Sequence, residues 1–395
     1  MSRAVTADHV LFNECIQMFR PDHFQLKEEQ PEQRGYLFLD FMLEQPIVFE
    51  YFSIQPTIEV NLPGAYSAFI APVVLPKWFE WNHNIHLFTI ALSSVFSFVT
   101  GRSIKAPRDG YESRQINLDD YTLGKFAIQH PILKAGPGAH DTRLSQLTYE
   151  KIKTQLQETI QILHKLPYEL YIKGMQSIRL VHLSQINKRD DFGLGYYLLI
   201  SAIEPIATAA ISRKSVAPKN PVLDEWRAKS KTNPEFQPLL NAYQQELSKN
   251  RYIGKRFVAF VMNYCPPDQW MDLEHPKENS IAYTSEISGF TSELSWVTQK
   301  QWDEIYPEDL NGQQIRNLLS DCYHHRSKFT HEGQNPPHKK PDSYNRFFDK
   351  ETIIDFDEKT KEVRGINEII LPNFRLISFI ATMSIFNFLK EKSGV

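Results

Sequence analysis

Three cysteines in 395 residues, Cys15, Cys265 and Cys322, are too few and too widely spaced to staple a fold or cage a metal. Their odd number gives no disulfide framework and their spacing no zinc motif, so a reducing cytosol is the expected compartment. Long apolar runs are missing too. The longest, Ile85–Val99 and Leu376–Leu389, fall short of the roughly 20 residues that span a bilayer, and both are expected to be buried helices of a soluble protein. The opening MSRAVTADHV has no apolar stretch of the kind a secretory leader needs. Charge of one sign is also lacking: 44 Lys and Arg face 47 Asp and Glu, a net −3. The whole molecule is therefore no polybasic nucleic-acid binder, and any such binding must come from a local patch. There is no internal repeat and no low-complexity tract. Gly136-Pro137-Gly138 lacks the following lysine and the leading strand of a phosphate loop, and is expected to be a linker.

What is present is an ordered composition, 42% hydrophobic and 23% charged, in a chain long enough for two domains. A short helix is expected around Val10–Phe19. From Tyr36 to Leu75, YLFLDFML, PIVFEYFSI, TIEVNL and AFIAPVVL alternate with Pro, Gly and Asn, which predicts the strands of a small sheet with a turn at Pro63–Gly64. A helix from Trp78 to Val99 follows, then a looser stretch to residue 146. From Thr148 the period turns helical: Ile152, Leu156, Ile160 and Leu163 make one stripe, Pro167–Asn187 a second helix, and Phe192–Ser212 a third. The third is apolar nearly all round and carries Glu204 before Pro205, which predicts a kink. Residues 213–256 hold ten Lys or Arg against four Asp or Glu, an excess of 10 − 4 = +6. They include a helix at Phe236–Lys249, and they read either as a solvated connection or as a surface that tracks phosphates. Helices at Gly254–Tyr264 and Asn373–Lys390, with a hairpin around 353–365, complete the pattern. The fold expected is an α+β N-terminal domain (1–145) followed by an all-α helical bundle (146–395).

The most informative stretch is Gln313–Gly333, QQIRNLLSDCYHHRSKFTHEG. Ile315, Leu319, Cys322 and Phe329 share one helical face, and Arg326 fills the vacant i+11 position among them. A guanidinium directed at a core is costly unless an anion meets it. His331, five residues on, lies roughly 140° round the helix, at the flank of the stripe beside His324 and Lys328. Gly333 and Pro336–Pro337 end the helix.

The spacing Arg326-x4-His331, with Ser327 directly after the arginine and the whole embedded in YHHRSKFTHEG, resembles the R-x(4–6)-H signature of HEPN domains, and more closely the form found in ApeA-like HEPN proteins of bacteria. The resemblance extends over roughly the second half of the chain as helix order. It implies a metal-independent endoribonuclease without cofactor, acting as a homodimer in the cytoplasm, of the type used as toxins or antiviral-defence (abortive infection) effectors. His331 would be the acid/base, Arg326 the phosphate-stabilising residue, Ser327 an orienting group, and Glu204 a support for Arg326. Lys328 and Tyr323 would contact RNA. A protein trigger or antitoxin is an expected further partner, with the N-terminal domain as sensor or restraint.

Elementary chemistry agrees. Attack by a 2′-hydroxyl on the adjacent phosphorus needs one group to take its proton, one to protonate the leaving oxygen, and a cation for the developing charge. One histidine and one arginine leave that set a group short, and a two-fold dimer supplies two of each. The competing readings are plain ones. Arg326 paired with Glu204 is a bundle staple, His331 a helix C-terminal cap, and Tyr323 a packing residue. His324, His325, His331 and His338 lack metal-ligand spacing, and His83 and His86 read as structural. The rival functions are a non-catalytic HEPN-like module that binds RNA or protein, a scaffold, and a metal-dependent hydrolase.

Overall fold

A computed structural model describes residues 8–20, 33–62, 66–76, 85–108, 118–132, 142–217, 222–249, 252–274, 304–338, 345–356 and 363–395. The expected turn at Pro63–Gly64, the start of the Trp78–Val99 helix, and Gly136-Pro137-Gly138 lie outside them.

The N-terminal region opens with α1 (Asp8–Met18) and a five-stranded antiparallel sheet: β1 (Arg34–Leu39), β2 (Ile47–Val48), β3 (Ser53–Ile54), β4 (Ile58–Leu62) and β5 (Tyr66–Val74). β5 is the hub. It pairs with β1 from Phe69 to Val74, with β3 at that same end and with β4 from Tyr66 to Ile70. PIVFEYFSI, expected as one strand, is two. Phe49 N–H donates to Phe52 O at 2.9 Å, the two rings stack with centroids 4.3 Å apart, and β2 folds back antiparallel on β3. α2 (His86–Thr100) follows, ended by Gly101 in the left-handed conformation. Then comes α3 (Asp120–Gln129), within the stretch expected to be loose. Asp119 caps it by accepting from Thr122 N–H, and Leu123 and Phe126 bury against Tyr36, Phe38 and Ile70.

From residue 146 the chain is mainly helical: α4 (Gln146–Lys165), α5 (Tyr168–Asn187), α6 (Phe192–Ala210), the short α7 (Arg213–Val216), α8 (Leu223–Thr232), α9 (Phe236–Lys249), α10 (Ile253–Tyr264), α11 (Gly312–Glu332) and α12 (Phe374–Ser393). The predicted stripe on α4 is buried at Ile152, Leu156, Ile160 and Leu163. The hairpin expected before the last helix is β6 (Phe348–Phe356) with β7 (Val363–Pro372), longer than predicted. A small strand region followed by a mostly helical one is thus the architecture, in line with the α+β-then-α expectation. One cluster of buried apolar side chains runs from Phe12 on α1 through the sheet and α2 to Leu389 on α12, across residue 145.

α6 lies deep in that cluster, with Tyr196, Leu199, Ile200, Ile203 and Ile206 buried. Among the described residues it is the one helix long and apolar enough to cross a membrane by length and composition, and its buried residues mark it as a core helix. The helix runs on through Pro205, whose missing N–H leaves the Ser201 carbonyl without its usual i+4 donor. The three cysteines are buried and unpaired, and burial pushes the Cys265 and Cys322 thiols up to about 12, which makes them inert packing groups.

Candidate functional site

Helix α11 carries the site. Asn311 starts it with a reciprocal cap: its side chain accepts from Gln313 and Gln314 N–H, while Gln314 Oε1 accepts from Asn311 N–H. Gly333 ends it at φ 67°, a left-handed position that suits glycine, and its N–H donates to Lys328 O. In between, Ile315, Leu319 and Cys322 are buried. Arg326 continues their line, half-buried, where α11 crosses α6.

There Arg326 meets a carboxylate. Its Nη2 donates to Glu204 Oε2 at 2.9 Å, and its Nε to Ser201 Oγ at 3.4 Å. Both side chains of the ion pair are only 17% exposed. The Arg326 guanidinium carbon also lies over two rings, 5.2 Å from the Tyr197 centroid and 5.9 Å from that of Tyr323. Burial raises the Glu204 carboxyl above its usual range, and Arg326 and the Tyr323 hydroxyl pull it back towards the charged form. Glu204 Oε1 is buried with no hydrogen bond of normal geometry. The third guanidinium nitrogen of Arg326, Nη1, makes no hydrogen bond among the described residues and is not sealed from solvent. One edge of the fork is therefore fixed and the other is available to an oxyanion.

The predicted partners of Arg326 fall out unevenly. Glu204 and Tyr323 are brought to it. Ser327 is half-buried, and its hydroxyl makes no hydrogen bond among the described residues. Lys328 is half-exposed. His331 is exposed on the last turn of α11, about 7.5 Å further along the axis by helix rise. It takes no hydrogen-bond partner among the described residues. Tyr197 and Ser201 went unpredicted, although with Glu204 they stand at i, i+4 and i+7 on one face of α6.

Two further histidines, His325 on α11 and His338 just after it, lie near each other. His338 sits against Phe192 and Tyr196, with ring centroids 5.3 and 5.0 Å away. Its Nε2 donates to Pro372 O at 3.0 Å, which ties the chain after α11 to the end of β7, and its Nδ1 is buried without a partner. Burial lowers both His338 and the neighbouring His325, and His325 is lowered further by His338. Among the described residues no group of three or more His, Cys, Asp or Glu is placed to hold a metal ion.

What fold and site define together is a strand-and-helix N-terminal region joined to a helical region whose central feature is a half-buried arginine–carboxylate pair beside an exposed histidine. No protein-family model, curated protein or solved structure matches the chain.

Proposed function

We propose that this protein is a metal-independent endoribonuclease of the HEPN type, working in the cytoplasm as a homodimer that apposes two copies of α11. Supporting this is the state of Arg326: clamped on one edge by Glu204, flanked by two aromatic rings, and unbonded on the other edge. A cation pre-positioned in this way stabilises charge developing on phosphoryl oxygens without reorganising during reaction. His331, exposed and unpartnered, is free to exchange a proton with a bound strand. In the dimer one imidazole takes the 2′-hydroxyl proton while the oxygen attacks phosphorus. The other gives its proton to the departing 5′-oxygen. The products are a 2′,3′-cyclic phosphate and a 5′-hydroxyl. A toxin or antiviral-defence effector, restrained or triggered through its N-terminal region, is the setting this activity suits.

The test compares wild type with His331→Ala by sequencing cellular RNA ends after expression, with chelator added to a parallel reaction in vitro. Wild type should give chelator-insensitive ends of the stated chemistry, and the variant none, with RNA binding retained. Wild type that leaves RNA ends unchanged refutes the nuclease. A second reading, an RNA- or protein-binding module without catalysis, is favoured by the same Glu204 contact, which neutralises part of the arginine's charge. Unchanged RNA ends together with measurable RNA binding would select it.

A further inference from the structure

The cation excess of residues 213–256 is not spread evenly. Residues 211–219 hold Arg213, Lys214 and Lys219, residues 247–257 hold Lys249, Arg251, Lys255 and Arg256, and neither segment contains an Asp or Glu. Residues 220–246 between them, which include α8 and most of α9, hold four acids, Asp224, Glu225, Glu235 and Glu246, against three bases, Arg227, Lys229 and Lys231. These two helices pack on each other through Trp226 and Tyr243, with ring centroids 5.0 Å apart, and contribute to neither apolar core cluster. Among the described residues, Arg213 and Lys214 on α7 and Lys255 and Arg256 on α10 stand on two helices that touch at the base of the α8–α9 arm, in a chain whose net charge is −3.

Arg256 closes that base. Its Nε donates to Ile211 O at 2.8 Å and its Nη2 to Thr208 O, which joins the start of α10 to the end of α6. Lys214 and Lys255 are exposed, and neither pairs with a carboxylate among the described residues. Elsewhere Lys151, Lys153, Arg227, Lys390 and Lys392 all do. Aromatic surface lies beside the bare cations. Lys255 Nζ sits 5.7 Å from the Tyr252 ring centroid, and Tyr252 is the one non-glycine residue at positive φ (49°) among the described residues. The next residue along from Tyr252 and Ile253, Gly254, lies against Tyr323, the ring that also flanks Arg326.

We propose that the exposed Lys214 on α7 and Lys255 on α10 form a phosphate-tracking tract for single-stranded RNA, continuous through Tyr252 and Tyr323 with the Arg326 site. The proposal rests on the nuclease reading for what happens at the tract's end. Unpaired lysines neutralise successive phosphates, and half-exposed tyrosines offer faces on which unpaired bases stack. Duplex RNA has its bases already stacked and gains nothing from those rings.

The experiment uses the full chain, a labelled 20-nucleotide single-stranded RNA and fluorescence anisotropy across a salt series, for wild type, Lys214→Gln/Lys255→Gln, and the control Lys151→Gln/Lys153→Gln. Removing two phosphate contacts should shrink the slope of log K against log salt by about 1.4, at roughly 0.7 per contact, and weaken binding about 25-fold at 0.1 M salt. The control pair should bind as wild type does. Unchanged affinity and slope in Lys214→Gln/Lys255→Gln, equal loss in the control, or a wild type that does not bind the RNA overturns the tract. Loss of binding in the tract variant, alongside wild type that binds without cutting, upholds the tract and overturns the nuclease.

Discussion

Replacing Arg326 with Met keeps most of the side-chain volume and removes the charge, leaving Glu204 in place without its counter-ion. Breaking a fully buried ion pair costs about 3–5 kcal/mol, and an exposed one about 0–1. At 17% exposure for each partner, the Arg326–Glu204 pair stands nearer the first case, and discounting for residual solvent gives about 2–3 kcal/mol. The loss should depend on pH. The Glu204 carboxyl is raised by burial in the native state, so its protonated form is favoured by folding. Its contribution to stability is fully present below the unfolded value of 4.5 and is lost as pH rises through the folded value. Without Arg326 the folded value climbs further. The deficit of Arg326→Met should therefore be greatest at neutral pH and dwindle as pH falls towards 4.5. Urea denaturation of wild type, Arg326→Met, Glu204→Gln and the double variant at several pH values closes a thermodynamic cycle. In the Glu204→Gln background, replacing Arg326 should carry no such pH dependence. A coupling energy near zero at pH 7, or a deficit that grows on acidification, refutes the reasoning.

Two further outcomes test the surrounding structure. His182 is buried between α2 and residue 104, with Nδ1 2.9 Å from Ser94 Oγ and Nε2 2.6 Å from Ile104 O. Burial lowers its pKa from 6.5 to about 4, so its contribution is present above 6.5 and fades as pH falls through that window. This amounts to about 3 kcal/mol at most, and urea melts of His182→Leu should show a flatter slope between those limits than wild type. In Gly254→Ala the new Cβ would lie 2.9 Å from Tyr323 Cδ1. Displacing that ring costs about 1–3 kcal/mol against a helix-propensity gain of up to about 1, so equilibrium unfolding should show a net loss of about 1 kcal/mol.

Much of this is legible in the sequence. The α4 stripe, the apolar face of α11 and the arginine set among apolar side chains follow from helical periodicity, and the break at Gly333 from a glycine followed by two prolines. So does the demand that a carboxylate meet that arginine, which Glu204 fulfils. Less legible was the split of PIVFEYFSI, because Phe49 and Phe52 make the reversal by stacking, without the Gly or Asn that marks a tight turn. α3 falls in a stretch that reads as loose, although Asp119 supplies a helix N-cap by accepting from Thr122 N–H. Tyr197 and Ser201 became relevant only when two helices more than a hundred residues apart crossed, which no local pattern encodes.

The crossing of α6 and α11 has one more consequence. Glu204 rises from a helix whose other face is packed into the core, so the guanidinium it grips inherits its position from the core and stays put whether or not anything is bound. The imidazole at residue 331 has no such anchor: it rides on a final helical turn, exposed and ungripped. Of the two groups, one waits in place like a vice jaw, and the other takes its orientation from whatever arrives.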